Sequence, residues 1–272
     1  MTVRDPAFVE REYNARAAVP EHTRFFERWE KDSAFARETL ESRLDIAYGG
    51  DPRHRIDLFP ARQARGTLVF VHGGYWRGLD KQMFSWLAPA WVAEGITFAA
   101  VNYRLCPQVR IADIVDDAVA AVNAVVASTG PGPVVVCGHS AGGHLIAAVM
   151  ATPASRFGFD TARFAGAVAI SGIVDFEPLL AFSGNADLRL TEAEAKALGE
   201  AVARPSILAP LVVAVGALES SEFLRQSQRL AESWGSAARE RLVLPGHHHF
   251  SILDALVERS QPLHSATLAL FA

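Results

Sequence analysis

One serine in this chain is flanked in a way that would expose its hydroxyl for attack. Gly138-His139-Ser140-Ala141-Gly142 follows a run of small and β-branched apolar residues, Val134-Val135-Val136-Cys137, and precedes a helical pattern over Gly143 to Met150. Strand, G-x-S-x-G and helix together are the setting of a nucleophile elbow, a turn sharp enough to hold the serine at its tip. Side chains at 138 and 142 would collide with the neighbouring strand and helix, which is why glycine stands there. A hydroxyl is a poor nucleophile without a base to take its proton, so a histidine oriented by a carboxylate is expected. On this type of sheet the chain order is Ser, then Asp or Glu, then His.

The acid belongs just past the next-but-one strand, in Ala217-Leu218-Glu219-Ser220-Ser221-Glu222. Glu219 is its first carboxylate. The rival, Glu222, falls in the first turn of the next helix, where acids often serve as caps. The base belongs after the last strand, in Pro245-Gly246-His247-His248-His249-Phe250. Adjacent histidines cannot all point one way. His249 is favoured because it abuts the apolar face of Phe250, Leu253 and Leu256, with His247 second. The cluster is a weak metal site, since no Cys or carboxylate stands at ligand spacing, and no metal or organic cofactor is expected. A developing oxyanion needs preorganised N–H donors. The backbone of Ala141 is one. Gly73 and Gly74, in His72-Gly73-Gly74-Tyr75-Trp76, are the others. His139 and His144 flank the serine, His144 reading as packing and His264 as surface. Asp175 reads first as a cap for the helix after it and second as a substrate contact.

Apolar runs alternating with helical patterns must position these groups. Thr67–Val71, Ile96–Val101, Val134–Cys137, Phe164–Ile170, Leu208–Val215 and Arg241–Leu244 read as strands, and near-continuous apolar strands imply a parallel sheet covered on both faces. Between Arg43 and Phe59 the pattern alternates around Gly49-Gly50-Asp51-Pro52, which predicts two antiparallel edge strands. Ile111, Val115, Val119, Val122 and Val126 recur at helical spacing. Residues 5–40 read as two helices broken at Pro20, whose Phe8, Tyr13, Phe25, Phe26, Trp29 and Phe35 anchor an arm to the body. The insertion over 172–205, with short helices at Phe176–Phe182 and Thr191–Val202, lies where a lid would be.

Composition narrows the function class. Half of the 272 residues are hydrophobic, enough for one large core, and a single domain over 1–272 is expected. A net charge of −4 with no Lys/Arg run argues against nucleic acid and anionic membranes. The start, Met1-Thr2-Val3-Arg4-Asp5-Pro6, does not read as a signal peptide, and no apolar run spans a bilayer. Cys106 and Cys137 read as free thiols of a reducing, cytoplasmic compartment. The expected partner is a small-molecule substrate, with a homodimer left open.

His72-Gly73-Gly74-Tyr75-Trp76 together with Gly138-His139-Ser140-Ala141-Gly142-Gly143-His144-Leu145 resembles the kynurenine formamidase (arylformamidase) branch of the α/β-hydrolases, whose signature is H-G-G-x-W followed by G-H-S-A-G-G-H-L. Glu12-Tyr13-Asn14-Ala15-Arg16, Asn102-Tyr103-Arg104-Leu105, Ser171-Gly172-Ile173-Val174-Asp175, Glu222-Phe223-Leu224-Arg225-Gln226-Ser227 and His249-Phe250 look similar too, so the likeness spans nearly the whole chain. The resemblance implies an α/β-hydrolase fold with a helical cap. It implies hydrolysis of N-formyl-L-kynurenine to formate and L-kynurenine in tryptophan breakdown. The family's nucleophile, acid and base would fall on Ser140, Glu219 and His249, and its oxyanion hole on the amides of Gly73, Gly74 and Ala141. The acid position often holds Asp, whereas this chain has Glu219. Tyr75, Trp76, Phe176, Phe182 and Phe250 are candidates to line an aromatic pocket. A carboxylesterase for small acyl esters would use the same three side chains, and a non-catalytic ligand-binding relative is the remaining alternative.

Overall fold

The computed structural model describes residues 5–272, and the reading of Met1–Arg4 lies outside them. An eight-stranded sheet runs in the order β1-β2-β4-β3-β5-β6-β7-β8. The strands are β1 (Arg43–Ala47), β2 (Arg55–Phe59), β3 (Gly66–Val71), β4 (Ile96–Val101), β5 (Val134–His139), β6 (Phe164–Ile170), β7 (Leu211–Gly216) and β8 (Ala238–Leu244). β1 and β2 pair antiparallel, and β2 joins β4 the same way. Every other pairing is parallel. The near-continuous apolar strands β3, β4, β5 and β7 are buried along their whole length. β7 starts at Leu211 rather than at the expected Leu208, which is exposed beside Pro210, a residue with no N–H to give a ladder.

Helices cover both faces. α5 (Ile111–Ser128) buries Ile111, Val119, Val122 and Val126, its apolar face, while Val115 is half-buried. α6 (Ala141–Ala151) is buried all round, as a helix at the centre of a two-faced sheet must be. The insertion after β6 forms a 3₁₀ turn over Glu177–Ala181, then α7 (Asn185–Leu188) and α8 (Glu192–Ala201). Thr191 and Glu194 cap α8 reciprocally, the Glu194 amide donating to Thr191 Oγ1 at 3.2 Å and the Thr191 amide to Glu194 Oε2 at 2.9 Å. α9 (Ser221–Trp234) follows β7, and α10 (Asp254–Val257) and α11 (Pro262–Leu268) close the chain. His264, expected at the surface, is buried and stacked on Trp91 at 4.9 Å, because the tail folds back onto α4 (Ala88–Ala93) instead of trailing into solvent.

The N-terminal arm has three helices, not two: α1 (Pro6–Tyr13), α2 (Ala15–Ala18) and α3 (His22–Thr39). Asn14 makes the extra break by capping α2, accepting the Ala17 amide at 3.0 Å. Trp29 is fully buried, 5.4 Å from the ring of Phe84 and stacked on Trp86 at 6.2 Å. Burying such a side chain stabilises the docking by roughly 2–3 kcal/mol. Phe35, by contrast, faces solvent and anchors nothing. Tyr13 locks the other end of the arm, its hydroxyl donating to Glu222 Oε2 at 2.7 Å and accepting from Gln226 Nε2 at 2.9 Å. No helix among the described residues is long and apolar enough to cross a membrane.

Candidate active site

The turn from β5 into α6 carries Ser140 at φ 57°, ψ −120°, outside helix and strand geometry. The glycines beside it are sterically required. A Cβ on Gly138 would sit 2.1 Å from the Gly142 carbonyl oxygen, and one on Gly142 would sit 2.0 Å from the Val71 oxygen. Backbone atoms cannot swing aside like a flexible side chain, so only glycine lets β3, β5 and α6 converge behind the serine.

Glu219 and His249 meet at this end of the sheet. His249 Nδ1 donates to Glu219 Oε2 at 2.7 Å. The other carboxylate oxygen accepts the Gly216 amide at 2.8 Å and the Ser171 hydroxyl at 2.6 Å. The Glu219 side chain is 0% exposed, so three donors supply what water would. Ser171, just past β6, was not singled out by itself; its signal was the Ser171–Asp175 stretch shared with the formamidase resemblance. The His249 ring packs on Phe223 at 4.5 Å and His139 at 4.7 Å, with Phe250 edge-on at 5.5 Å. With Nδ1 engaged by the carboxylate, Nε2 is the nitrogen left for the cavity. His249 and Ser140 line the same cavity, of about 660 Å³. No hydrogen bond among the described residues joins the Ser140 hydroxyl to the ring, and such contacts are often long until substrate is bound.

The three histidines diverge. His247 Nδ1 lies 3.0 Å from the Ser251 carbonyl, and His248 Nδ1 accepts the amides of Phe250 at 3.2 Å and Ser251 at 3.3 Å. Glu222 is taken up by Tyr13 and Arg225, so it holds the arm and not the imidazole. Asp175 caps no helix; it accepts Arg225 Nη1 at 2.9 Å and Arg229 Nη1 at 3.0 Å, drawn outward by two guanidiniums on α9.

The loop after β3 presses against the serine. A Cβ on Gly73 would meet Ser140 Cβ and the His139 oxygen, both at 2.9 Å, and Gly74 has φ +107°. The amides of Gly73, Gly74 and Ala141 have no acceptor among the described residues. His72 braces this loop, with Nδ1 2.7 Å from the Gly73 oxygen and Nε2 3.0 Å from Asn102 Oδ1. The Tyr103 hydroxyl donates to the His72 carbonyl at 2.8 Å. His139, buried beside His249, donates from Nε2 to the His249 carbonyl at 2.8 Å and so pins that residue's backbone.

Of the aromatic candidates, Tyr75, Phe182 and Phe250 line the cavity. Trp76 and Phe176 do not. Both are fully buried and clamp His144, at ring distances of 5.4 and 4.8 Å. The elbow helix brings His144 under the loop, and the two large rings fill the space around it. The arm supplies a further part of the cavity wall, with Asn14, Arg16, His22, Phe26 and Trp29. Residues read as anchors thus also wall the cavity. The close run of Phe25, Phe26 and Trp29 was the available signal.

Burial pushes the imidazoles of His72 to about 4 and His144 to about 3, and that of His139 well below its ordinary value. Their folded values lie beneath the unfolded one, so the unfolded chain binds more protons in acid. The stability they contribute is complete above about pH 6.5 and is lost as pH falls toward 4. The expected result is a thermal midpoint that drops steadily between pH 7 and 5. His144→Leu, which removes a group with both ring nitrogens unpartnered, flattens that slope. A midpoint independent of pH over this range would refute the account.

A family model described as the alpha/beta hydrolase fold matches residues 68–232. The chain belongs to the α/β-hydrolase family. This α/β-hydrolase is 29% identical over 240 residues to a kynurenine formamidase of Salmo salar, covering 82% of this chain and 80% of that one. A proposed thioesterase from Silicibacter sp. TM1040, solved by crystallography, superposes with a TM-score of 0.85 at 32% identity, covering 95% of this chain and 97% of the other. The isoprenylcysteine alpha-carbonyl methylesterase of Arabidopsis thaliana is 33% identical over 122 residues, 42% of this chain and 29% of its own length. The α/β-hydrolase is thus an enzyme of the amidase/esterase kind, with its sequence likeness to the kynurenine formamidases extending over most of its length.

Proposed function

We propose that this α/β-hydrolase cleaves the formamide of N-formyl-L-kynurenine, with Ser140 as nucleophile, His249 as base and Glu219 as the acid that orients it. His249 Nε2 takes the hydroxyl proton as Ser140 Oγ bonds to the formyl carbon. The amides of Gly73, Gly74 and Ala141 receive the oxyanion. The C–N bond then breaks, and the arylamine leaves with the proton from His249. Water, deprotonated by the same ring, hydrolyses the formyl ester to formate and restores the serine. Glu219 holds the tautomer and balances the imidazolium throughout.

The observation that carries this reading is the His249–Glu219 pair opening onto a cavity shared with Ser140 and walled by Phe26, Tyr75, Phe182 and Phe250. Aromatic walls suit an aryl amide, and the formamidase likeness supports the same substrate. The methylesterase likeness favours a second reading, a carboxylesterase for small acyl esters. The test is turnover of N-formyl-L-kynurenine, followed by product absorbance, beside p-nitrophenyl acetate. Efficient formamide cleavage is expected. Negligible formamide turnover with strong ester turnover would replace the first reading by the second.

A further inference from the structure

We propose that Arg16, carried on α2 of the N-terminal arm, binds a carboxylate on the leaving-group side of the substrate. The proposal rests on the reading of Ser140 as the nucleophile of this cavity. Among the described residues two guanidiniums line the cavity, Arg16 and Arg77. Arg77 is answered by Asp187, which lines the same wall. Arg16 has neither a hydrogen bond nor an ion pair with any described residue. Its guanidinium carbon lies 5.4 Å from the centre of the Phe26 ring, which orients the fork without neutralising it. Glu10, an acid of the same arm, is spent elsewhere: it accepts Asn14 Nδ2 at 2.7 Å and the Ser183 amide at 3.3 Å.

Charge balance gives the same answer. Burial first, and then the like charge of Arg77, press the Arg16 guanidinium below its ordinary value, and no acid among the described residues pairs with it. A cation left unanswered beside a nucleophile favours a substrate that brings its own anion. A guanidinium fork matches a carboxylate with two parallel hydrogen bonds, and one free fork matches a single charge. The aromatic walls would take an aryl group between that carboxylate and the scissile bond. The predicted substrate class is therefore an acylated aryl amine or phenol with an anionic tail.

The test compares kcat/KM for 3-(4-acetoxyphenyl)propanoate with its methyl ester, and for N-formyl-L-kynurenine with its methyl ester. Each ratio is measured within one protein, so the folded fraction cancels. The wild type should prefer the acid. Arg16→Ala should lower the acid-over-ester ratio roughly fivefold or more, through KM, the size of a lost charge-assisted hydrogen bond. Arg16→Lys, which keeps the charge but loses the fork, should restore part of it. A wild type without acid preference, or any smaller fall in Arg16→Ala, overturns the proposal. Failure of the formamide reading looks different: the acetates turn over and neither formamide does, and the acetate pair still decides Arg16.

Discussion

Ser140→Ala lowers kcat by about four to six decades, on N-formyl-L-kynurenine and on p-nitrophenyl acetate alike. The residues of such a constellation act as a unit, so removing the nucleophile leaves only what binding and oxyanion stabilisation supply. The substitution is well suited to the site. Ser140 already holds φ 57° with a Cβ in place, so alanine introduces no new backbone strain. The variant should keep the wild-type thermal midpoint within about 1 kcal/mol of stability. An aryl phosphonate should form a covalent adduct with the wild type, visible by intact mass, and none with the variant. Retention of more than a tenth of wild-type activity would mean that another group attacks the carbonyl.

His249→Ala should cost about three to six decades in kcat, with His247→Ala close to wild type. The contrast follows from where the two rings go. His249 Nδ1 is held by Glu219 at 2.7 Å and its ring faces the cavity of Ser140. His247 turns away to the Ser251 carbonyl. His249→Ala also leaves the Glu219 carboxylate fully buried with only Ser171 and Gly216 as donors. A buried charge stripped of its partner is costly, so the thermal midpoint should fall as well. Added imidazole separates the two effects, since it can restore proton transfer without restoring packing. Comparable losses in both histidine variants would sink the assignment of the base.

Much of this site was legible along the chain because its parts are local. Gly138 to Gly142 reads as an elbow from five consecutive residues, and the clashes at 138 and 142 show why those types were needed. Glu219 follows β7 at once, and the histidine run follows β8, so the order of the strands places both at one end of the sheet. His249 is the ring that meets Glu219. Phe250, one of the residues that suggested it, packs edge-on against the ring at 5.5 Å, and Phe223 and His139, which lie far off in the chain, complete its surroundings.

The sequence by itself therefore determined the sheet and the elbow and narrowed the acid to Glu219 or Glu222 and the imidazole to His249 or His247, because strand periodicity and turn chemistry are properties of neighbouring residues. Tertiary structure alone decided what surrounds them. It turned Trp76 and Phe176 inward against His144, gave Glu222 to Tyr13 and Asp175 to two arginines, buried His264, and wrapped the arm so that Arg16 and Phe26 wall the cavity. Those outcomes depend on which distant surfaces meet when apolar area leaves water. That force has no direction along the chain, so no local pattern records its result.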